Sequence, residues 1–270
     1  MKYIKLFENF EGDDKQKELA DELAAYLGVN LETFAETSKI MAMSPEGIQR
    51  WFDAEMDKEE PNIPVLEELE RLGYEFDLLN KDLFYAVEKN KVGLAKLLLD
   101  RGADYEASNK YQRTPLHMAA MNNSRAVAEL LLDRGAKINV RDYEQQTPLH
   151  FAAYNDSQAV AKLLLDRGAD YEARSKYQQT PLHWVAYSDS RAVAELLLDR
   201  GAKIEVGDRV NQTPLHRAAE NDSRAVAELL LDRGADIDVR DVNQQTPLHL
   251  AIDNDYEEIA ELLRSRGATE

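Results

Sequence analysis

The stretch Thr114-Pro115-Leu116-His117-Met118-Ala119-Ala120-Met121-Asn122-Asn123-Ser124-Arg125-Ala126-Val127-Ala128-Glu129-Leu130-Leu131-Leu132-Asp133-Arg134-Gly135 decides the fold, because it is copied. Its opening tetrapeptide returns at Thr147, Thr180, Thr213 and Thr246, each copy 33 residues after the last. Its closing run, Leu-Leu-Leu-Asp-Arg-Gly, keeps the same step. The glycines fall at Gly102, Gly135, Gly168, Gly201 and Gly234, with a weaker copy at Gly267. Two motifs held in phase over this length mark an internal repeat.

Each unit reads as two short helices and a turn. Thr114 is a helix N-cap, and Pro115 takes the first helical position, where its missing N–H costs nothing. Ala119 and Ala120 keep that helix thin. Asn123, with Asp156, Asp189 and Asp222 in the same phase, suits a left-handed residue at the end of helix one. Ser124, Ser157, Ser190 and Ser223 stand where helix two needs an N-cap. Val127, Leu130 and Leu131 recur at helical spacing as its buried stripe, and Gly135 ends it. One unit cannot bury its own apolar face, so stacked neighbours must supply the core.

Over residues 81–270 these features resemble the ankyrin repeat family. The period, Thr-Pro-Leu-His, the double alanine and Leu-Leu-x-x-Gly-Ala all agree. The resemblance implies an all-α solenoid of paired antiparallel helices with projecting hairpin loops and a concave binding groove. The expected units are 81–113, 114–146, 147–179, 180–212, 213–245 and 246–270. Val65-Leu66-Glu67-Glu68-Leu69-Glu70-Arg71-Leu72-Gly73 reads as a degenerate half-repeat within 61–80. One departure stands out. The glycine that the family carries in its hairpin is replaced by Gln112, Gln145, Gln178, Asn211 and Gln244. If the turn keeps a positive φ, each Gln costs about 1 kcal/mol.

Copies within one chain can be compared with each other. Arg125-Ala126-Val127-Ala128-Glu129 of helix two returns at Arg191–Glu195 and Arg224–Glu228. Variation is confined to a few phases. Directly after each His come Met118, Phe151, Trp184, Arg217 and Leu250; three residues later come Met121, Tyr154, Tyr187, Glu220 and Asp253. Positions three apart share a helix face. The hairpin tips vary too, with Lys110-Tyr111, Tyr143-Glu144, Lys176-Tyr177, Arg209-Val210 and Val242-Asn243. In the ankyrin architecture those phases line the groove. The resemblance therefore implies a partner-binding set of Tyr111, Met118, Met121, Tyr143, Phe151, Tyr154, Tyr177, Trp184, Tyr187 and Arg217. Aromatics and Met are enriched in interface cores, and Trp and Tyr at hot spots. The alternative for the phase after His is packing between adjacent helices. Tyr105 and Tyr171 alternate with Ile138, Ile204 and Ile237, so they read as loop core.

All five histidines lie in the tetrapeptide, at His117, His150, His183, His216 and His249. The resemblance assigns each imidazole to hydrogen bonds with the Thr hydroxyl and neighbouring backbone. No His or Cys then remains for nucleophilic or general-base work. There is no Gly-rich phosphate loop. The expectation is a non-catalytic chain without metal or cofactor.

Composition agrees with a folded module. Of the 270 residues, 44% are apolar and 31% charged, and cysteine is absent, which removes disulfides and thiolate metal sites. The net charge of −18 argues against nucleic acid as a partner. No apolar run reaches the roughly 18 residues of a membrane span, and Lys5 and Glu8 interrupt the opening stretch, so a cytoplasmic location is expected. Residues 1–80 hold 8 Lys+Arg against 20 Asp+Glu, most of the acidic excess. Residues 1–60 read as a small acidic helical domain. Lys17–Leu27 has helical spacing, Ser44-Pro45-Glu46 starts a helix through Ile48, Trp51, Phe52 and Met56, and Glu55–Pro61 reads as the link. Leu23–Val29 mildly resembles the turn of a DNA-reading helix pair, but Leu31–Glu36 after it has no Arg and two Glu, which argues against that role. Ile4–Phe10 resembles the N-termini of tailed-phage proteins. The leading expectation is protein binding in the groove. The alternative is an acidic inhibitor whose N-terminal carboxylates cover a basic surface of a target enzyme.

Overall fold

The computed structural model describes residues 31–41, 43, 45–56, 58, 62, 64–65, 68–69 and 81–269. Lys17–Leu27, Leu23–Val29, Ile4–Phe10 and most of the 61–80 half-repeat lie outside the described residues. Those described are helical, and no strand forms among them. They fall into two compact units, one before Leu83 together with Gly93–Gly102, the other of Leu83–Val92 and everything from Ala103 onward.

In the first unit, α1 (Leu31–Met41) and α2 (Pro45–Met56) pack together. Ile40, Ile48, Val65 and Leu69 form their buried core, with Trp51 against it. Side chains on both sides of residue 60 thus share one core. The link expected from Glu55 begins later, because Glu55 and Met56 close α2. Glu55 is buried, and its carboxylate accepts from Lys58 and from the Asn62 N–H. A buried carboxylate is tolerated only when so paired.

The second unit holds the repeats. After α3 (Lys81–Glu88) and, across the unit boundary in sequence, α4 (Val92–Asp100), helix one recurs as α5 (Pro115–Met121), α7 (Pro148–Tyr154), α9 (Pro181–Trp184), α11 (Pro214–Glu220) and α13 (Pro247–Asp253). Helix two recurs as α6 (Arg125–Asp133), α8 (Gln158–Asp166), α10 (Arg191–Asp199), α12 (Arg224–Asp232) and α14 (Glu257–Ser265). Helix one packs on the next helix one, and helix two on the next helix two. Ala119 and Ala120 are fully buried, as are Val127, Ala128 and Leu131, whereas Leu130 is half-buried. The leucines beneath Gly135 end a helix whose cap has φ +95°, a conformation glycine adopts without cost.

Two details depart from the sequence reading. Ser124 and its equivalents sit at the N-cap, yet their hydroxyls do not bond their own helix. Ser124 donates instead to the Val87 carbonyl, and Ser223 to Ala186, in the preceding unit. The cap comes from the neighbour: Asp189 accepts from the Val226 N–H at 2.9 Å, and Asn123 from Val160 at 3.3 Å. The left-handed residues (Asn123 φ 52°, Asp189 φ 47°) thus end one helix and start the helix two of the following unit. These bonds make each unit depend on the one before it.

Candidate partner-binding site

The site is built on the Thr–His frame. In each complete unit the Thr N–H donates to the His Nδ1, at 3.1 Å for Thr114–His117. Nδ1 is therefore an acceptor, and the ring proton sits on Nε2. That proton is donated to the Gln146 carbonyl, 3.1 Å away at the end of the same unit. His150, His183 and His216 repeat the bond to Gln179, Gln212 and Gln245. Burial pushes His117, His150 and His183 down to about 4, and lowers His216 as well, so the rings are neutral near pH 7. Among the described residues no group of three metal-ligating side chains converges.

The loops between units are fingers without strands. Gln112, Gln145, Gln178, Asn211 and Gln244 have φ of 58° to 64°, so the turn geometry survives the loss of glycine. A short polar side chain that sequence reading missed holds each finger. Asp142 Oδ1 accepts from the Glu144 and Gln146 N–H groups, both at 2.9 Å. Asn109, Ser175, Asp208 and Asp241 do the same at the 33-residue step. That spacing was the available signal; the variety of residue types hid it. Adjacent fingers are joined by one backbone bond each: Tyr143 N–H to Tyr111, Lys176 to Glu144, Arg209 to Tyr177 and Val242 to Val210.

The variable positions divide into a ring cluster, the fingertips and a polar group, with Met118 and Met121 apart from these three. Tyr154, Trp184 and Tyr187 touch edge to face or tilted, with ring centres 5.5–5.8 Å apart, and Phe151 lies 6.3 Å from Trp184. Such arrangements suit the ring quadrupoles. Tyr154 and Tyr187 are 45% and 41% exposed, Trp184 is half-buried, and Phe151 is buried at 4%. Phe151 therefore forms the floor beneath the face, the inter-helix packing open to its phase. Met118 and Met121 are half-buried on α5. The fingertips Tyr111, Tyr143 and Tyr177 are exposed. Arg113, another residue missed from sequence, links the first two groups. Its guanidinium lies 4.5 Å over Phe151 and 5.2 Å over Tyr111, and pairs with buried Asp142 at 3.2 Å. It replaces the Gln found in this phase elsewhere, a visible break in the copying.

Arg217 forms the third group. It pairs with Asp208 and, at 2.6 Å, with Glu220. Burial opposes the Asp208 charge, but Arg217 and the finger N–H groups hold its carboxyl below the usual carboxylate range. Arg217 is thus engaged by Glu220 of its own unit and by Asp208 of the finger before it.

Under the aromatic group the frame itself changes. Helix one of that unit stops at Trp184 and continues as a 3₁₀ turn, Val185–Tyr187. Asn155 and Asn221 fasten the end of their helices by donating to the Phe151 and Arg217 carbonyls. The equivalent Ser188 is too short and bonds Ala153 instead. Val185 also replaces the first alanine. The Trp184 indole N–H is buried without a hydrogen-bond partner.

A family model described as ankyrin repeats matches residues 59–142, 83–175, 141–208 and 203–269. The chain belongs to the ankyrin repeat family. No curated protein matches it. Ankyrin repeats are generally protein–protein interaction modules and typically non-catalytic. Among the described residues no helix is long and apolar enough to cross a membrane.

Proposed function

We propose that the repeats bind a protein partner without catalysis, on the face shared by the fingertips and helix one, in the concave groove that the ankyrin architecture implies. The carrying observation is the ring cluster of Tyr154, Trp184 and Tyr187, left partly exposed where the copied frame varies. Rigid amphipathic rings order at low entropic cost and are the common anchors of interfaces. Tyr187 and Trp184 are the hot spot, Tyr154 borders it and Phe151 supports it. Arg217, closed on Asp208 and Glu220, belongs to the rim.

The test is capture of the partner from the native source by the immobilised chain, with thermal melts in parallel. Tyr187→Ala is expected to cost about 2 kcal/mol of binding, roughly thirtyfold, while the melt stays within a few degrees. Trp184→Ala is expected to do the same with a larger loss of stability. Unchanged affinity in both variants would move the site off this face, with the acidic residues 1–60 as the next location.

A further inference from the structure

Resting on that reading of the face, we propose that its occupant is an extended acidic peptide segment with an aromatic or aliphatic anchor. The chain carries a net charge of −18, yet its fingertips run against that balance. Lys110 and Arg113 lie on the first finger, Lys176 on the third and Arg209 on the fourth, while the second carries Asp142 and Glu144. Only two carboxylates answer them, with Arg113 paired to Asp142 and Lys176 to Glu144 at 3.4 Å. Lys110 and Arg209 are exposed, and no described carboxylate lies within ion-pair distance of either. The cations are also interleaved with rings. Lys110 lies 4.9 Å from the centre of Tyr111, and Lys176 lies 5.3 Å and 5.9 Å from Tyr143 and Tyr177. A cation resting on an aromatic face keeps its charge available to a carboxylate on the other side.

The fingers form one continuous edge, because each is bonded to the next through its backbone. An extended segment laid along that edge would place successive carboxylates near Lys110, Lys176 and Arg209, while its apolar side chain reaches the Tyr154–Trp184–Tyr187 group. Charge complementarity chooses this occupant over a basic or neutral one. Single-stranded nucleic acid also favours cations with rings, but its affinity comes from many neutralised phosphates. Two cations without a carboxylate partner, on a chain with an acidic excess, offer too few.

A phage-displayed library of random 12-residue peptides, sorted on the immobilised full chain, tests the proposal. The expected result is enrichment of peptides with several Asp or Glu around one large apolar residue. A synthetic copy of an enriched peptide should weaken about tenfold with the double variant Lys110→Glu/Arg209→Glu, and about thirtyfold with Tyr187→Ala. A melt unchanged by the charge reversals confirms that folding is intact. Enriched peptides of neutral or positive charge that still require Tyr187 would overturn the acidic occupant and leave the face standing. Peptides indifferent to Tyr187→Ala would overturn the face itself. Displacement of the peptide by a single-stranded oligonucleotide at equal concentration would replace the peptide with nucleic acid and also overturn the proposal.

Discussion

The units built on α9 and α11 place opposite chemistry in one phase of the same frame. In the first, Trp184 leans on Phe151, Tyr154 and Tyr187, with its N–H unpaired and its helix tightened into a 3₁₀ turn. In the second, Arg217 is closed by Asp208 and Glu220, and Asn221 fastens a regular helix. The Arg217 charge is answered by two carboxylates, one of them from the finger before its unit, although its Nε, like the Trp184 Nε1, is buried without a hydrogen-bond partner. A repeat frame can therefore carry a charge-paired surface and an aromatic one side by side, since its stability comes from the neighbours rather than from the variable phases.

The largest expected effect removes the frame beneath both. For His117, His150 and His183 the folded ring titrates at about 4 against an ordinary value of 6.5. Between those values the unfolded chain holds a proton that the folded chain lacks, so stability is full above pH 6.5 and drains as pH falls toward 4. Each ring then costs up to roughly 3 kcal/mol. Melts followed by circular dichroism at pH 7, 5 and 4 should show both regions lost together. A melt at pH 4 equal to that at pH 7 would mean that the rings carry no such load. Added Zn²⁺ should leave the pH 7 melt where it is, since the ring nitrogens are already taken by Thr and Gln backbone.

Next in size is Arg217→Ala. It leaves Asp208 buried with only its finger N–H partners and should cost about 1–3 kcal/mol of stability. Binding measured on the aromatic face should be unaltered. A variant that kept its stability but lost the partner would make Arg217 a hot-spot contact rather than a rim one.

Ser188→Asn makes the aromatic unit resemble the polar one. The amide can reach the Trp184 carbonyl as Asn221 reaches that of Arg217, at the expense of the Ser188–Ala153 bond. Stability should rise by about 0.5–1 kcal/mol, within the range of one hydrogen bond. The helical signal should rise with it. A fall in stability would show that the 3₁₀ turn is set by Val185 rather than by the missing cap.

The repeat fold was legible because its signals are local and repeated: Thr-Pro starts a helix, Gly135 ends one, and the 33-residue step forces stacking. What was hidden passes between units. Ser124 at an N-cap position looks like a cap, and only the neighbour's Val87 carbonyl explains its actual bond. Phe151 and Trp184 share a phase, yet Arg113 covers Phe151 while Trp184 stays half-open. The expected boundary at residue 60 rests on charge and Pro61, whereas the packing of Val65 and Leu69 with Ile40 and Ile48 is a contact that composition cannot show.

The pair of variants that includes the smallest effect separates the two regions at their fingers. Gln145, in the finger just before the aromatic helix α7, and Asn211, in the finger just before the polar helix α11, hold the same positive φ, 62° and 60°. Asn adopts that conformation more readily than Gln. Exchange alone would predict equal and opposite changes, but the surroundings differ. Asn211 Nδ2 donates to the Arg240 carbonyl at 3.0 Å, because Gly207 in that finger has no side chain to do so. In the Gln145 finger the equivalent carbonyl, of Arg174, is already taken by the Arg141 guanidinium at 2.7 Å. Gln145→Asn therefore gains only the backbone preference, a few tenths of a kcal/mol at most. Asn211→Gln loses the preference and the bond, about 1 kcal/mol. Thermal melts of the two single variants should be unequal in size and opposite in sign. Adding Arg141→Ala to Gln145→Asn should enlarge its gain relative to Arg141→Ala alone, since the Arg174 carbonyl is then free to accept. Equal shifts in the two single variants would show that the side-chain bonds contribute nothing and that the backbone alone distinguishes the fingers.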